Sequence, residues 1–288
     1  GGEPLDIQRV TRLESHRLVE DFMLLANEVV ATEAVRRRLP ILHRVHEPPT
    51  EQKVAALREF LGSLGQVLPQ GAVKPRDLEQ VLERVRGRPE ESLLNKVVLR
   101  SMQRARYASD NLGHFGLALE HYCHFTSPIR RYPDLVTHRV VVRALVEGRS
   151  VPESWGGEEL DAVAERSSAR EQAAAEAERD SIDLKKVEFM GRHLGDHFTG
   201  TISGVVAFGF FVLLDDYFVD GLVHVNALRD DYYEFREGEY SLVGDRRGRR
   251  FRLGDRVRVQ VARVETEERK IDFLLEEILP RSGGQTLV

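Results

Sequence analysis

The stretch HYCHFTSPIRRYPDLVTHR, which runs from His121 to Arg139, decides how the rest of the chain is interpreted. It contains two adjacent arginines, Arg130 and Arg131, between two prolines, Pro128 and Pro133. The residue before a proline is driven away from helical angles, so Ser127 and Tyr132 are predicted to be extended. The second proline suits the first position of a helix, and the apolar residues after it recur at helical spacing. The stretch is therefore predicted to be a stiff loop that leads directly into a helix.

The two arginines are the candidate functional residues of this loop. Guanidinium groups form bidentate hydrogen bonds with phosphate, and the free N–H groups at the start of a helix also attract anions. An arginine pair can equally be a solvated surface feature or one half of an ion pair, and the residues alone leave that alternative open. The loop is poor in aliphatic residues and rich in hydrogen-bonding ones, which favours a phosphate site at Arg130 and Arg131.

Length and composition limit the class of protein. A chain of 288 residues has room for roughly two domains of ordinary size. The net charge is −5, so any nucleic-acid site has to be a local basic patch. Cys123 is the single cysteine, which excludes an internal disulfide framework and fits a reducing cytosol. No apolar run approaches the roughly 20 residues of a membrane-spanning helix. We therefore expect a cytoplasmic protein without a membrane partner.

The first two thirds of the chain are predicted to be mainly helical. A long helix at residues 13–34 places Leu18, Phe22, Leu25, Ala26 and Val29 on one apolar face. The other predicted elements are a short strand at 3–10, a buried strand at 39–45, and helices at 51–64, at 74–85, from Pro89 onward and at about 158–190.

The last third shows a different pattern, which predicts a small β-barrel. From His197 onward the apolar residues alternate, and turn residues recur every 8–12 positions. Five strands are expected, in FTGTISGVVAFGFFVLLDD (two), GLVHVNAL (one) and FRLGDRVRVQVARVETEERKIDFLL (two). Five strands is the number of an OB fold. The run from Asp245 to Arg252 is a strong local basic patch, which suits a phosphate backbone.

Both parts of the chain resemble the ribonuclease II / ribonuclease R (RNB) family of exoribonucleases. Residues 124–139 match that family's pattern HFTSPIRRYxDLxxHR, and LVEDFMLLANEVVA resembles its IEExMxxAN helix. The barrel strings resemble the S1 RNA-binding domain. The resemblance implies an α+β protein with a mostly helical C-terminal portion of an RNB catalytic domain at residues 1–195. An S1-type, five-stranded OB-fold barrel follows at 196–278, and a tail at 279–288.

The resemblance also implies a function. Members of the family are processive, hydrolytic 3′→5′ exoribonucleases that use Mg²⁺ and degrade single-stranded RNA to nucleoside 5′-monophosphates. The complete protein would be such an enzyme, and we expect it to be a monomer. The alternative is a non-catalytic RNA-binding protein that uses the S1-type barrel.

The metal ligands of the family are not found in this chain. They form an aspartate cluster of the type DPxDAxDxDDA, upstream of the IEExMxxAN helix, and nothing similar occurs here. His43 and His46 lack a third ligand at suitable spacing and are interpreted as structural. We therefore expect the Mg²⁺ ligands in a missing N-terminal half of the catalytic domain, no metal ligand in this chain, and no activity of the chain alone. Where that half would dock, around residues 1–140, an exposed apolar face is expected.

The resemblance assigns roles to individual residues. Arg130 and Arg131 are the expected catalytic residues. The residues expected to contact RNA in the catalytic domain are Glu20, Asn27, Ser127, Tyr132 and Glu171. Those expected to do so in the barrel are Phe208, Phe211, His224, Arg249 and Arg250. Two points stay open: whether Glu20 or Asp21 is the functional carboxylate, and whether Phe211 stacks on bases or belongs to the barrel core.

Overall fold

The structure, a computed structural model, describes residues 2–8, 13–63, 65–87, 91–236 and 240–280. The helices are α1 (Glu14–Arg36), α2 (Glu51–Ser63), α3 (Pro75–Val85), α4 (Glu91–Ser101), α5 (Tyr132–Val141) and α6 (Gly157–Met190). The strands are β1 (His43–Val45), β2 (Arg106–Ala108), β3 (His197–Val206), β4 (Gly209–Leu214), β5 (Asp220–His224), β6 (Tyr233–Arg236), β7 (Ser241–Gly244), β8 (Arg250–Arg252), β9 (Arg256–Glu265) and β10 (Lys270–Leu279). No helix within these described residues has the length and apolar character needed to cross a bilayer.

The helical part is organised around a two-stranded antiparallel ribbon, β1 with β2, in which Arg44 lies opposite Tyr107. Helices α2, α3 and α4 form a separate apolar core that includes Leu57, Leu61 and Leu94. The predicted strand at residues 3–10 is not present at residues 3–8, and residues 9 and 10 lie outside the described residues. The reason is that this segment meets no strand edge; instead Ile7 packs against the barrel core.

Helix α1 has an apolar face that the described part of the chain leaves uncovered. Its buried side is formed by small or polar residues, Asn27, Ala31 and Ala34. Four residues of the predicted apolar face, Leu18, Phe22, Leu25 and Val29, are more than half exposed, and the fifth, Ala26, is half-buried. Helices of globular proteins normally bury such an apolar stripe, so this exposed face is typical of an interaction surface.

The last third contains a closed five-stranded barrel, as the sequence predicted, and the order of its strands is β10-β5-β4-β3-β9. Its core includes Phe210, Val212 and Val223 on the inner faces of β4 and β5. The end of α6 also belongs to this core, because Phe189 and Met190 are buried against the barrel. One rigid helix therefore connects the barrel to the helical part.

A second sheet, β6-β7-β8, lies between β5 and β9 in the chain and was not predicted. Its strands are 4, 4 and 3 residues long, too short to show a clear alternation in the sequence. Leu242 and Phe251 are fully buried and join the barrel core, and the Phe251 ring stacks on Phe210 at 4.7 Å between centroids. The basic run at 245–252 therefore lies on this inserted sheet and not on the barrel strands.

Candidate nucleic-acid interface

The double-arginine loop, residues 124–131, is held by one buried carboxylate. Asp134, in the first turn of α5, is completely buried and accepts hydrogen bonds from the Ser127 amide at 2.7 Å and the Arg131 guanidinium at 2.8 Å. The Ser127 carbonyl in turn accepts the amides of Arg130 and Arg131 at 3.3 and 3.0 Å. The loop is thus fixed at both ends, which gives the predicted stiffness a definite cause.

The two adjacent arginines have different environments. Arg131 forms the ion pair with Asp134, so the alternative of an ion-paired arginine applies to this residue. Its Nε and the Asp134 Oδ1 are buried without a hydrogen-bond partner, so the pair is not saturated. Arg130 is exposed and makes no side-chain hydrogen bond or ion pair with the described residues. Arg130 is therefore the arginine that is available to a phosphate.

Both arginines line an open groove of about 610 Å³ between the loop and the middle of α6. The charged and aromatic side chains that line it are Tyr107, Arg130, Arg131, Tyr132, Arg166, Arg170, Glu171 and Glu178. Four of these are arginines, so the groove has a local basic character that the net charge of −5 conceals. Tyr132 is 52% exposed and presents its ring at the edge of the groove.

The predicted residue Glu171 is held by an arginine that the sequence analysis missed. Arg44 Nη1 donates to Glu171 Oε2 at 2.5 Å, and the Arg44 guanidinium lies 4.8 Å from the centre of the Tyr107 ring. The Arg44 side chain is only 14% exposed, while that of Glu171 is 40% exposed. The signal was present in LPILHRV, where an arginine occurs inside an otherwise apolar strand. A buried arginine needs a partner, which is the carboxylate at the groove.

Tyr107 connects this ion pair to the double-arginine loop. Its hydroxyl forms a hydrogen bond with His124 Nδ1 at 2.8 Å. Burial, together with the nearby guanidinium groups of Arg131 and Arg44, lowers the pKa of His124 to about 3. Burial and the Glu171 carboxylate raise the pKa of Tyr107 to about 12. Both rings are therefore neutral at pH 7, and the charges at the groove come from the arginines and glutamates.

Asn27, which is expected to contact RNA, lies inside the protein in this structure, and its contact with RNA stays a prediction. Asn27 is 3% exposed; its Nδ2 donates to the Tyr122 hydroxyl at 3.0 Å, and its Oδ1 accepts the Phe125 amide at 2.9 Å. Both ends of the side-chain amide are thus used inside the protein. Asn27 supports the start of the double-arginine loop from α1.

The structure does not bring Glu20 to the groove. Glu20 is half-buried on α1, its neighbour Asp21 is exposed, and neither belongs to the groove lining among the described residues. Their contact with RNA stays a prediction. Ser127 is half-buried within the loop, where its backbone groups hold the turn.

The predicted stacking rings lie on one outer face of the barrel. Inward positions of β4 are occupied by Phe210, Val212 and Leu214, so Phe211 points outward and is not the core phenylalanine. Phe208 is 49% exposed, and its ring is stacked with that of His224, with 6.3 Å between centroids. We define this ring surface as Phe208, Phe211 and His224. Exposed rings of this kind offer faces on which bases of any sequence can stack.

The two predicted arginines of the basic patch are located on the inserted sheet. Arg249 pairs with Asp230 at 2.7 Å, and Arg250 is in β8. The turn before them is shaped by Asp231, which accepts the amides of Arg246 and Arg247 at 3.0 and 2.7 Å. These hydrogen bonds lower the pKa of Asp231. The side chains of Arg246 and Arg247 are exposed and unpaired among the described residues, so they were the better candidates for phosphate contacts.

A divalent cation finds no ready site in the part of the chain that the structure describes. No three side chains from His, Cys, Asp and Glu come together there in a way that could hold a metal ion. Hard cations such as Mg²⁺ need several oxygen ligands converging on one point. The described residues therefore do not fit the metal that the resemblance implies.

Comparison with known proteins gives two domain matches. The RNB domain profile matches residues 1–147, and the S1 RNA binding domain profile matches residues 193–276. The chain is 45% identical to ribonuclease R of Aquifex aeolicus over 281 residues, which is 97% of this chain and 40% of that protein. It is 43% identical to ribonuclease R of Escherichia coli, over 97% of this chain and 36% of that protein. The chain thus spans about two fifths of the length of these relatives.

Solved structures show the same architecture. The apo form of Mycoplasma genitalium RNase R superimposes with a TM-score of 0.87 at 26% identity, covering 95% of this chain and 44% of that one. The same protein in complex with ribose methylated single-stranded RNA gives a TM-score of 0.85 with the same coverage. Yeast Ssd1, described as a pseudonuclease, shares the fold with a TM-score of 0.67 at 22% identity, covering 83% of this chain.

Proposed function

This chain belongs to the RNB family, and from that premise we propose that it is the C-terminal part of a processive, hydrolytic 3′→5′ exoribonuclease acting on single-stranded RNA. The observation that carries the proposal is the groove in which an unpaired arginine, Arg130, lies next to the fixed pair of Arg131 and Asp134. Ribonuclease R relatives from Aquifex aeolicus and Escherichia coli support the enzyme class. In this proposal the products are nucleoside 5′-monophosphates.

In the proposed reaction this chain binds and positions the RNA. The exposed ring of Phe208, stacked with the half-buried ring of His224, collects the strand by stacking, and the 3′ end lies in the groove. The Arg130 guanidinium contacts the scissile phosphate and stabilises the charge that develops on it. Arg131 stays oriented by Asp134, and Glu171, held by Arg44, accepts a hydrogen bond from a ribose hydroxyl of the last nucleotides.

The chemistry of water activation is assigned outside this chain. Mg²⁺ held by carboxylates would supply the nucleophilic water and polarise the phosphate. Because the described residues offer no donor set for it, we place its ligands in the N-terminal half of the catalytic domain. The chain alone is then expected to bind RNA without cleaving it.

The uncovered face of α1 is the proposed docking surface for that N-terminal half. Leu18, Phe22, Leu25 and Val29 are 55–62% exposed, and the fully exposed Ile129 extends the apolar surface to the double-arginine loop. The relatives are more than twice as long as this chain, so a partner segment of sufficient size exists in the family. In the complete protein we propose a single-chain monomer in the cytoplasm.

A gel assay with 5′-labelled single-stranded RNA and Mg²⁺ tests the proposal. The chain alone should retard the RNA without shortening it, and the complete enzyme should produce a ladder that shortens from the 3′ end. Arg130→Ala in the complete enzyme should lower turnover by orders of magnitude and change RNA affinity much less. The matched control is Arg84→Ala, an exposed arginine on α3.

The alternative function is a non-catalytic RNA-binding protein, and the fold alone does not exclude it because a pseudonuclease shares the fold. In that case the complete protein would retard RNA and never shorten it. Near-normal turnover of the Arg130→Ala enzyme would instead overturn the role of the groove.

A further inference from the structure

A second, smaller cavity adjoins the groove. It has a volume of about 210 Å³ and lies between α5 and the start of α6, next to the short helical turn Glu153–Trp155. Its wall includes apolar side chains such as Val136 and Leu160. Tyr132 lines both this cavity and the groove, so the two spaces are adjacent at this residue.

The cavity contains a second aromatic ring in a fixed position. Trp155 is 36% exposed, its amide donates to the Pro152 carbonyl at 3.0 Å, and the Arg143 guanidinium lies over its ring at 5.6 Å from the centre. Arg143 is itself tied to the Ser150 carbonyl at 2.7 Å. The indole is therefore held against the cavity before any ligand arrives.

Two charged side chains of opposite sign complete the wall. Arg139 and Glu159 both line the cavity and are exposed. Neither makes a side-chain hydrogen bond or ion pair within the described ranges of the chain. The cavity thus offers guanidinium donors and carboxylate acceptors that no side chain or backbone group of the described residues uses.

This combination has the chemistry of a base-binding site. Proteins recognise unpaired RNA bases by stacking them on aromatic rings and by hydrogen bonds to their edges. The edges of purine and pyrimidine bases carry both hydrogen-bond donors and hydrogen-bond acceptors. An Arg side chain can donate to the acceptors, and a Glu side chain can accept from the donors. Pockets with an apolar wall and a few polar groups are the usual form of such sites.

We propose that this cavity binds one nucleobase of an RNA strand that lies in the groove, turned out from the strand and stacked on Trp155. The inference rests on the proposed function, because it needs RNA in the groove. It adds a base contact beside the phosphate contacts of Arg130. It also gives Trp155, Arg139 and Glu159 a role in binding that is separate from the cleavage step.

The chain contains a single tryptophan, so its emission reports on this cavity alone. The experiment titrates the 288-residue chain with a labelled oligoribonucleotide, recording tryptophan emission and RNA anisotropy in the same samples. We expect saturable quenching of Trp155 that follows binding. An oligonucleotide of equal length with abasic sites should bind through its phosphates and leave the emission unchanged.

The outcomes of this titration test the base-binding inference and the proposed function separately. RNA binding without a change of Trp155 emission overturns this inference and leaves the proposed function intact. Equal quenching by the abasic strand also overturns it, because then no base causes the change. Absence of RNA binding overturns the proposed function itself.

Variants separate binding from a folding defect. Glu159→Gln keeps the reporter and should weaken RNA binding severalfold, whereas the matched control Glu158→Gln, one position earlier on the same exposed turn and outside the cavity lining, should not. Trp155→Ala should weaken binding about fivefold or more, and Trp155→Phe should restore most of it because a stacking face remains. An affinity that is the same in all four variants would contradict the proposal.

Discussion

The groove and the ring surface are both assigned to RNA, yet they are built in opposite ways. At the groove, Asp134 is fully buried and fixes Arg131, and the mostly buried Arg44 fixes Glu171. At the ring surface, Phe208 is half exposed and its stacking neighbour His224 is a surface residue of β5. The groove is a polar network inside the protein, whereas the ring surface is an addition to a barrel whose core does not depend on it.

This difference separates two kinds of function. A network with buried charges holds side chains at defined positions, which suits a step that needs exact placement of a phosphate. Exposed rings accept any base in many positions, which suits the capture of a strand. Changes at the groove should therefore cost stability as well as function, and changes at the ring surface should cost only binding.

Acid should produce the largest difference between the two regions. Burial, aided by neighbouring positive groups, lowers the pKa of His43 and His114 to about 4 and that of His124 to about 3, against 6.5 in an unfolded chain. Above pH 6.5 these groups are neutral in both states. Between pH 6.5 and about 4 these histidines are protonated in the unfolded chain but stay neutral in the folded chain. The free energy of unfolding therefore falls as the pH falls.

Hydrogen exchange by mass spectrometry at pH 7 and pH 5, corrected for intrinsic rates, can measure this. Peptides of β1 and the double-arginine loop should lose protection at pH 5, and peptides of β3 and β4 should lose less. His124→Gln should reduce the pH dependence. Earlier loss of protection in the barrel would contradict the comparison.

The next largest effect is expected for Asp134→Ala. Removing the carboxylate leaves the Arg131 guanidinium, with 22% side-chain exposure, without its partner and frees the Ser127 amide. Breaking a buried pair on one side typically costs several kcal/mol, and we expect a loss of about 3 kcal/mol in the free energy of unfolding. Urea denaturation measures it. The exposed Asp216 of the barrel is the control, and its alanine variant should stay within about 0.5 kcal/mol of the parent.

Phe208→Ala should show the reverse pattern. Because the ring is 49% exposed, its loss should change the free energy of unfolding little. RNA binding should weaken by about 1–3 kcal/mol, the value of one stacked base. Fluorescence anisotropy with single-stranded RNA measures it, and Phe22→Ala on α1, with a ring 62% exposed, is the matched control. A Phe208→Ala variant that loses stability but binds RNA normally would contradict the proposed difference between the groove and the ring surface.

The smallest effect is expected on the inserted sheet. Arg246→Gln with Arg247→Gln removes two exposed charges whose side chains form no ion pair among the described residues. If both contact phosphates, the slope of log K against log salt for single-stranded RNA should become shallower by about 1.4. Binding titrations at several salt concentrations measure this slope. Arg249→Gln, which removes an arginine paired with Asp230, should change it less.

Much of the fold could be predicted because its signals are local. Proline and glycine positions and apolar periodicity place α5 and α6, and alternation places the five barrel strands. The inserted sheet could not be predicted, since its three strands are too short to carry a pattern and are fixed by packing of Leu242 and Phe251 on the barrel. Helix α1 shows a similar limit of prediction. The periodicity of its sequence identifies an apolar face but does not show which part of a protein covers that face.

The candidate site was predicted less completely than the fold. Arg130 and Phe208 are exposed, whereas Phe211 and His224 are half-buried, and their contacts with RNA stay predictions. The motif could not reveal that the side-chain amide of Asn27 forms hydrogen bonds with Tyr122 and Phe125. It also could not reveal that Arg44 forms an ion pair with Glu171, which is 127 positions away in the sequence. Such contacts depend on tertiary packing, and a one-dimensional pattern does not contain them.

The length of α6 has a consequence for affinity. From Glu171 at the groove to Met190 in the barrel core the helix rises about 28 Å. An RNA fragment too short to reach from the groove to the ring surface of the barrel occupies one surface at a time. A longer one binds the second surface as an intramolecular event, at an effective concentration set by the rigid helix. Affinity should therefore rise abruptly at one chain length of RNA and change little beyond it, so that α6 sets the shortest fragment that the protein retains.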